Sequence, residues 1–192
     1  TSNGAYVSSS GTLNLDHTLV VNGSTTGIQS YGTLNATYDT ISYNSGAGVD
    51  IEQGTFTVQN SIVTNNSGYG IYRYTSTGTT VDHNDVWTNS TANYYNVTAG
   101  TGSISSNPFF VNPPSDFHLQ SSSLCRGAGT SGTDLGALPF QVGPITRVTV
   151  NPSATTVTAG GTATFTAQAY DASNTPVPGA TFTWSATSAA GS

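Results

Sequence analysis

The strongest constraint on the fold of this chain is a repeat of about 22 residues in its N-terminal half. Glycines at positions 4, 27, 48 and 70 each begin a segment, so that the segments start 23, 21 and 22 residues apart. Each segment also carries an aliphatic residue followed three positions later by Asn. These pairs are Leu19 with Asn22, Ile41 with Asn44, Ile62 with Asn65, and Val86 with Asn89. The shared pattern indicates structural units that stack on one another.

Each segment contains short alternating runs such as TLNL, TLNA and TFTV, bounded by Gly, Asn and Ser, which predict short strands separated by turns. One such unit cannot bury its apolar side chains, whereas coils stacked about 4.8 Å apart share a continuous core. The sequence therefore predicts an all-β fold, a parallel β-helix of about five coils, with a degenerate fifth coil from Ala92. Two inward ladders are expected, namely Ala5, Ile28, Val49 and Ile71, and Leu13, Leu34, Phe56 and Thr80.

The repeats resemble the right-handed parallel β-helix proteins whose coils carry an Ile-x-x-Asn pattern. That group includes pectate lyases, polygalacturonases, alginate epimerases and many surface proteins, so the resemblance implies a pectate-lyase-like fold. It implies no single activity, because the pattern describes a fold. The recurrent Asn tolerates left-handed backbone geometry, and its amide can bond to the Asn of the next coil, so we expect it to be structural.

A further resemblance concerns the segments NPFFVNPPSDFHLQSSSLCRGAG and DLGALPF, which follow the coils. They are similar to the closing element of secreted bacterial β-helix proteins, although Asn107 and Asn112 stand where acidic residues are usual and Leu124 replaces a proline. The resemblance implies a C-terminal cap at about residues 105–138 that covers the last coil. Such a cap protects an edge that would otherwise invite pairing with another chain. The β-helix and its cap are thus expected over residues 1–138.

Residues 139–146, PFQVGPIT, form a predicted linker, after which RVTVNP, TATFTAQAYD and ATFTWSA predict longer strands. Residues 147–192 resemble the first part of a bacterial immunoglobulin-like domain, with Trp184 at the core tryptophan position. Only part of such a β-sandwich is present. Because the chain has no Met and lacks a signal-peptide pattern, we expect it to be a piece of a longer protein.

Composition limits the partners of the chain. Charged residues make up 6% of it, with no Lys and a net charge of −6, whereas phosphate binding needs clustered Lys or Arg, so nucleic acid is not an expected partner. Hydroxyls and amides fill the polar positions instead, which is typical of extracellular β-rich proteins and predicts a secreted or cell-surface location. No apolar run approaches the roughly 18 residues that span a bilayer, so we expect no membrane insertion.

The candidate ligand-binding residues centre on the third repeat, where Asp50 and Glu52 alternate with apolar residues. Alternate strand positions share one face, so both carboxylates are expected to point outward, beside Tyr31, Tyr72 and Tyr74 of the neighbouring coils. Tyrosine faces stack on sugar rings, and carboxylates accept hydrogen bonds from sugar hydroxyls. The pattern therefore predicts a carbohydrate-binding face made of these five residues.

Asp50 and Glu52 are also the candidates for catalysis. Residues i and i+2 of a strand are about 6.5 Å apart, within the range of about 5 to 9.5 Å that glycoside hydrolysis needs. A general acid also needs burial or a like charge to raise its pKa, and a flat strand face offers little enclosure. Several acidic residues converge in the enzymes that the repeat resembles, whereas the adjacent coils here offer Gln29 and Tyr72. Catalysis, sugar binding and a solvated face all stay open.

Asp16 and Asp39 are the candidates for a metal site, because they lie in the same turn of adjacent coils. Calcium takes six to eight oxygen ligands, so two carboxylates alone form a weak site, and a hydrogen-bonded turn ladder is the alternative. His17 and His83 are three coils apart, about 14 Å, which is too far to share a metal. No cofactor other than calcium is expected.

Three classes of function remain at this point. The first is a structural or adhesin-like module that binds a polysaccharide or cell-surface glycan through its outward tyrosines and carboxylates. The second is a fragment of a polysaccharide lyase, glycoside hydrolase or epimerase, with further catalytic coils outside this sequence. The third is a phage or fibre structural protein, which would require association of several chains.

Overall fold

The structure is a computed structural model that describes residues 3–76 and 78–185. The chain divides into two compact units, Thr1–Gln141 and Val142–Ser192. The division falls within the predicted linker at residues 139–146. The first unit contains all four repeats, and the second contains the predicted immunoglobulin-like region.

Three sheets run along the first unit, and each repeat contributes one strand to each sheet; strands are numbered in chain order. Sheet A contains β1 (Ala5–Val7), β4 (Ile28–Ser30), β7 (Val49–Ile51), β10 (Tyr69–Arg73) and β13 (Ala92–Tyr95). Sheet B contains β2 (Thr12–Asp16), β5 (Thr33–Thr37), β8 (Thr55–Gln59) and β11 (Gly78–Asp82). Sheet C contains β3 (Leu19–Val21), β6 (Thr40–Ser42), β9 (Ile62–Thr64) and β12 (Asp85–Trp87).

Within sheets A, B and C every strand pairs in parallel with the strand of the next coil, which makes the first unit a parallel β-helix of about four turns. The expected fifth coil is incomplete, since it supplies β13 and one isolated bridge between Asp85 and Ile104. The only helical element within residues 3–76 and 78–185 is a 3₁₀ turn, Thr130–Gly132. No helix in this part of the chain is long and apolar enough to cross a membrane.

The inward ladder predicted in sheet A is confirmed. Ala5, Ile28, Val49 and Ile71 occupy consecutive register positions, and the last three are completely buried. In each strand of sheet A the side chain after the ladder residue points outward and the following one points inward, because successive side chains of a strand lie on opposite faces. The ladder therefore fixes which residues of sheet A face solvent.

The ladder predicted in sheet B is confirmed for Leu13, Leu34 and Phe56, but it shifts by one residue in the fourth coil. Phe56 pairs with Thr79, and the prediction of Thr80 is wrong. The partners in sheet A are 22 residues apart at this level, whereas Phe56 and Thr79 are 23 apart. The turn between β10 and β11 therefore holds one extra residue, which the glycine spacing did not reveal.

The recurrent Asn forms a ladder at the turn between sheets C and A, but Asn22 and Asn65 lie one residue before it, each with a left-handed backbone. Asn44 donates its side-chain amide to Asn66 Oδ1 at 2.9 Å, and Asn66 donates in the same way to Asn89 Oδ1 at 2.9 Å. Asn65, which the repeat assigned to this position, instead precedes it with a φ of 55°. The left-handed backbone and the amide ladder thus belong to neighbouring residues.

Residues 105–138, here called the lateral segment, pack against the outer side of sheet C. The segment contains an antiparallel hairpin of β14 (Phe110–Asn112) and β15 (Asp116–Leu119). Its apolar side chains form one buried cluster with Ile62 of β9. The backbone N–H of Ala137 donates to Thr40 Oγ1 at 3.0 Å, which ties the segment to β6 as well.

We expected this segment to cover the last coil, and the structure places it on the side of the coil instead. The physical reason is Ile62, which points outward from sheet C and needs an apolar cover. At the end of the coil, Tyr94 follows Ile71 in register and packs on the core together with Val97. Residues of the incomplete fifth coil therefore close the end that we had assigned to the cap.

The second unit contains one antiparallel pair, β16 (Arg147–Asn151) and β17 (Thr166–Tyr170), among its described residues. These strands match the first two predicted runs. The third run, ATFTWSA, forms no strand over residues 180–185, and Trp184 is 55% exposed. Within the described part of this unit the hairpin is therefore the extent of the regular structure.

Candidate functional site

The outer side of sheet A presents a column of side chains set by strand register. Tyr6, Gln29, Asp50, Tyr72 and Tyr95 occupy consecutive positions of this column. The residues on either side of Asp50 in β7 are completely buried, which directs the Asp50 side chain outward. The structure thus brings Asp50 next to Tyr72 and Gln29, as the repeat predicted.

Glu52, Tyr31 and Tyr74 each follow the strand of their coil and form a second outward row. The Glu52 N–H donates to the Ser30 carbonyl at 2.9 Å, and the Tyr74 N–H donates to the Ile51 carbonyl at 2.7 Å. These backbone contacts hold Glu52 between the two tyrosines, and Tyr74 is 62% exposed. All five predicted ligand-binding residues therefore lie on one side of sheet A.

Two further tyrosines join this side of the sheet. The Tyr72 and Tyr95 rings stack with centroids 4.9 Å apart and an interplanar angle of 10°, and Tyr69 lies 5.3 Å from Tyr72 and 5.1 Å from Tyr95. On the opposite flank the rings of Tyr6 and Tyr31 are 5.9 Å apart. Sequence reasoning missed Tyr69 and Tyr95, although Tyr95 lies 23 residues after Tyr72, about one repeat.

We call the five predicted residues together with Tyr69 and Tyr95 the aromatic face. A cleft of about 370 Å³ opens in it, with both carboxylates beside the tyrosine cluster. Its lining consists of Thr26, Ala47, Asp50, Glu52, Gly68, Tyr69, Tyr72 and Thr91. Thr26, Ala47, Gly68 and Thr91 contribute the small residues of this lining.

Asp50 is more enclosed than a flat strand face predicts. Its Oδ1 atom is buried and has no hydrogen-bond partner among the described residues. Burial raises the pKa of Asp50 to about 6, and the neighbouring Glu52 carboxylate contributes to the increase. Near neutral pH a fraction of Asp50 is therefore protonated and able to donate a hydrogen bond.

Tyr72 and Tyr31 keep their protons over the same pH range. Burial raises the pKa of Tyr72, with Tyr95 and the two carboxylates adding to the effect. Burial and Glu52 likewise raise the pKa of Tyr31. The face therefore combines phenol O–H donors, ring surfaces and carboxylate acceptors, the groups that bind the hydroxyls and the apolar side of a sugar ring.

The two metal candidates make different contacts. Asp39 is completely buried, and its Oδ1 accepts the Thr18 N–H at 2.8 Å within a turn ladder that continues through Ser61. Burial raises the pKa of Asp39 to about 7. Asp16 is exposed, and its Oδ1 lies 2.9 Å from His17 Nδ1. Among the described residues no group of three or more His, Cys, Asp or Glu side chains is arranged to hold a metal.

A buried acid and thiol beneath the lateral segment were not anticipated. Cys125 Sγ lies 3.2 Å from Asp85 Oδ2, and both residues are completely buried. The Ser106 N–H donates to the other Asp85 oxygen at 3.0 Å. Burial raises the pKa of Asp85 to about 6 and raises that of the Cys125 thiol. No local motif joins these residues, because they lie 40 positions apart.

The comparisons with known proteins agree with this architecture. The family model described as "Right handed beta helix region" matches residues 2–127 of the chain. Neither the curated proteins nor the solved structures gave a significant match. The matched range covers all four repeats and most of the lateral segment.

Proposed function

Since the chain belongs to the right-handed β-helix family, we propose that its coils form a secreted or cell-surface module that binds a polysaccharide through the aromatic face. The family fixes the fold, and the function rests on the chemistry of this face. The observation that carries the proposal is the stacked pair of Tyr72 and Tyr95 beside the cleft that holds Asp50 and Glu52.

The shape of the face favours a polymer over a single small molecule. Its residues come from four successive coils, and coils repeat about every 4.8 Å along the axis. A chain of sugar rings that runs along this axis can place rings against Tyr31, the cleft and Tyr95 in turn. Several weak contacts on one polymer add up to useful avidity.

The composition supports an extracellular location for this activity. Hydroxyl and amide side chains replace Lys and most acidic residues, and the net charge is −6. We also propose that residues 147–192 form part of an immunoglobulin-like domain that serves as a spacer. The hairpin of β16 and β17 and the sequence around Trp184 support that assignment.

The test is binding of the purified chain to a panel of neutral and acidic polysaccharides, measured with calcium and with a chelator. We expect at least one polysaccharide to bind and Tyr72→Ala to weaken that binding roughly tenfold, since a stacking contact at a sugar site is lost. Trp184→Ala, which removes an exposed aromatic ring from the second unit, is the matched control and should bind as the wild type does. No binding to any member of the panel would overturn the proposal.

Acid and base catalysis is a second candidate function, favoured by the pKa of about 6 at Asp50. A protonated Asp50 has the property of a general acid, and Glu52 lies two residues away, about 6.5 Å along the strand. The adjacent coils place Gln29 and Tyr72 beside Asp50 and add no further carboxylate. Product formation from the bound polysaccharide, abolished by Asp50→Asn with binding retained, would establish an enzyme.

A further inference from the structure

A separate cavity of the first unit lies beside the end of β10, and none of its lining residues belongs to the aromatic face. Its volume is about 640 Å³, and it opens between the end of β10, strand β11 and residues 96–101. Its lining consists of Arg73, Thr79, Thr80, Val81, Asp82, Asn96, Val97, Thr98, Gly100 and Thr101. This lining is dominated by hydroxyls and contains one guanidinium.

The cavity forms because the interior of the coil changes from apolar to polar at this level. Arg73 pairs in register with Ile51, which is completely buried in the coil below. Thr79 pairs in register with Phe56 of the coil below, and the Phe56 side chain is 3% exposed. Two inward register positions thus change from a large apolar side chain to a polar one, and both polar residues line the cavity.

Arg73 has no acidic partner within the described ranges. The ion pairs found there join His to Asp, and none includes Arg73. A guanidinium in an inward position is normally paired with an anion, because removing its charge from water is costly. An inward arginine without such a pair, beside an open cavity, is the arrangement expected where a ligand supplies the anion.

The remaining lining specifies what else the ligand carries. Thr79, Thr98 and Thr101 offer hydroxyls, and Asn96 offers an amide, so neutral hydroxyl groups of a ligand find both donors and acceptors. Asp82 also lines the cavity, and its negative charge opposes ligands with several negative charges. A single carboxylate matches the planar fork of a guanidinium better than a tetrahedral dianion does.

We propose that this cavity binds a monocarboxylate that carries several hydroxyl groups, with Arg73 holding the carboxylate and the threonine hydroxyls holding the ligand hydroxyls. A sugar acid is the simplest molecule of this class. The site is separate from the aromatic face, because the two share no residue. The proposal therefore does not depend on the proposed function.

The test compares D-glucuronate with D-glucose and with sulfate by titration calorimetry of the full chain. We expect glucuronate to bind, and glucose, which has the same ring without a carboxylate, to bind at least about tenfold more weakly. Arg73→Gln should weaken glucuronate binding roughly tenfold or more, and Thr79→Val roughly threefold, because a charged contact and a neutral one are lost. Arg126→Gln makes the same change in net charge elsewhere in the unit and should leave the affinity unchanged.

Three results would overturn the assignment: no binding of glucuronate, equal binding of glucuronate and sulfate, or binding that survives Arg73→Gln. Tyr72→Ala should leave the affinity for glucuronate unchanged. A loss of affinity in this variant would place the sugar acid on the aromatic face instead. If Arg73→Gln lowers the midpoint of thermal unfolding, its weaker binding no longer reports on the guanidinium contact alone. In that case Thr79→Val and the comparison of the three probes on the wild-type chain test the proposal.

Discussion

The outer sides of sheets A and C have the same strand geometry, but one is covered and the other is partly exposed. In sheet C the outward column contains Thr40, Ile62 and Asp85, all nearly or completely buried beneath the lateral segment. In sheet A the corresponding column contains Asp50 and Tyr72, which remain partly exposed. The difference teaches that Ile62, an apolar residue in an outward column, is covered by the lateral segment, whereas the column of Asp50 and Tyr72 stays partly open.

The largest expected effect comes from opening the covered side. Phe117→Ala removes a ring that is 2% exposed from the cluster between the lateral segment and sheet C. We expect the free energy of unfolding to fall by about 3 to 5 kcal/mol, from lost transfer energy and a residual cavity. Urea unfolding measures this. Tyr72→Ala on the open side should change stability by less than about 1 kcal/mol, and equal losses from both variants would refute the contrast between the two sides.

The next effect concerns the Asn ladder, which lies in the turn that joins the two sides. Asn66→Ala leaves the Asn44 N–H and the Asn44 amide without their shared acceptor in a buried turn. We expect a loss of about 2 to 4 kcal/mol, because several buried polar groups lose their partners. Asn65→Gly is the matched control, since glycine tolerates the φ of 55° at that position, and it should change stability by less than about 1 kcal/mol. A larger loss at Asn65 than at Asn66 would restore the assignment made from the repeat.

A smaller effect, dependent on pH, is expected at Asp39, in the turn before sheet C. Its carboxyl stays neutral in the fold up to about pH 7, but the unfolded chain ionises it near pH 3.8. The wild-type protein therefore loses stability from this group as the pH rises through that window. Asp39→Asn removes the penalty, and we expect it to stabilise the protein at pH 8 by about 2 kcal/mol and to have little effect at pH 4.

Asp39→Asn also offers a new hydrogen bond from the residue 39 amide to the Leu15 carbonyl. Asn84, at the equivalent position two coils further on, donates its amide in this way to the Val58 carbonyl at 2.7 Å. Leu15 occupies the same register position as Val58. Asp16→Asn on the exposed side of the turn is the comparison variant; it removes a nearby charge that contributes to the raised pKa of Asp39, so it should change the pH dependence of urea unfolding less than Asp39→Asn does. A variant at residue 39 with the wild-type pH profile would show that Asp39 is ionised in the fold.

The smallest effect is on the rate at which thiol reagents label Cys125. It reports on the covered side of sheet C in the wild-type protein. Cys125 is completely buried beneath the lateral segment, and burial raises the pKa of its thiol. We expect thiol reagents to label the native protein at least about a hundredfold more slowly than the unfolded chain, since thiolate and access are both lost. Phe117→Ala should accelerate labelling more than Tyr72→Ala does. Rapid labelling of the native wild type would mean that the segment does not cover sheet C.

The sequence predicted the coil well where the repeat spacing is regular. The ladders through Val49 and Phe56 and the outward positions of Asp50 and Glu52 follow from a two-residue period and a repeat near 22. The prediction fails where one residue is inserted, as before Thr79, or where two neighbouring aliphatic residues compete. The repeat aligned Ile62 with Ile41, but Val63 is the register partner of Ile41 and Ile62 points outward.

Contacts between distant parts of the chain were beyond prediction from spacing. The lateral segment lies on sheet C because Ile62 needs a cover, and the pair of Asp85 and Cys125 forms only once the segment is in place. The enclosure of Asp50 likewise depends on the surrounding coils, so its raised pKa could not be inferred from a strand pattern. Local periodicity fixes the direction of a side chain but leaves open what packs over it.

Hydroxyl-radical footprinting in the presence and absence of polysaccharide tests whether the aromatic face binds polysaccharide. We expect Tyr69, Tyr72 and Tyr95 to become protected when polysaccharide is added, while Trp87 and Tyr43 beside the lateral segment react as before. Protection confined to the sheet C side, or no protection of any tyrosine on the aromatic face, would contradict it.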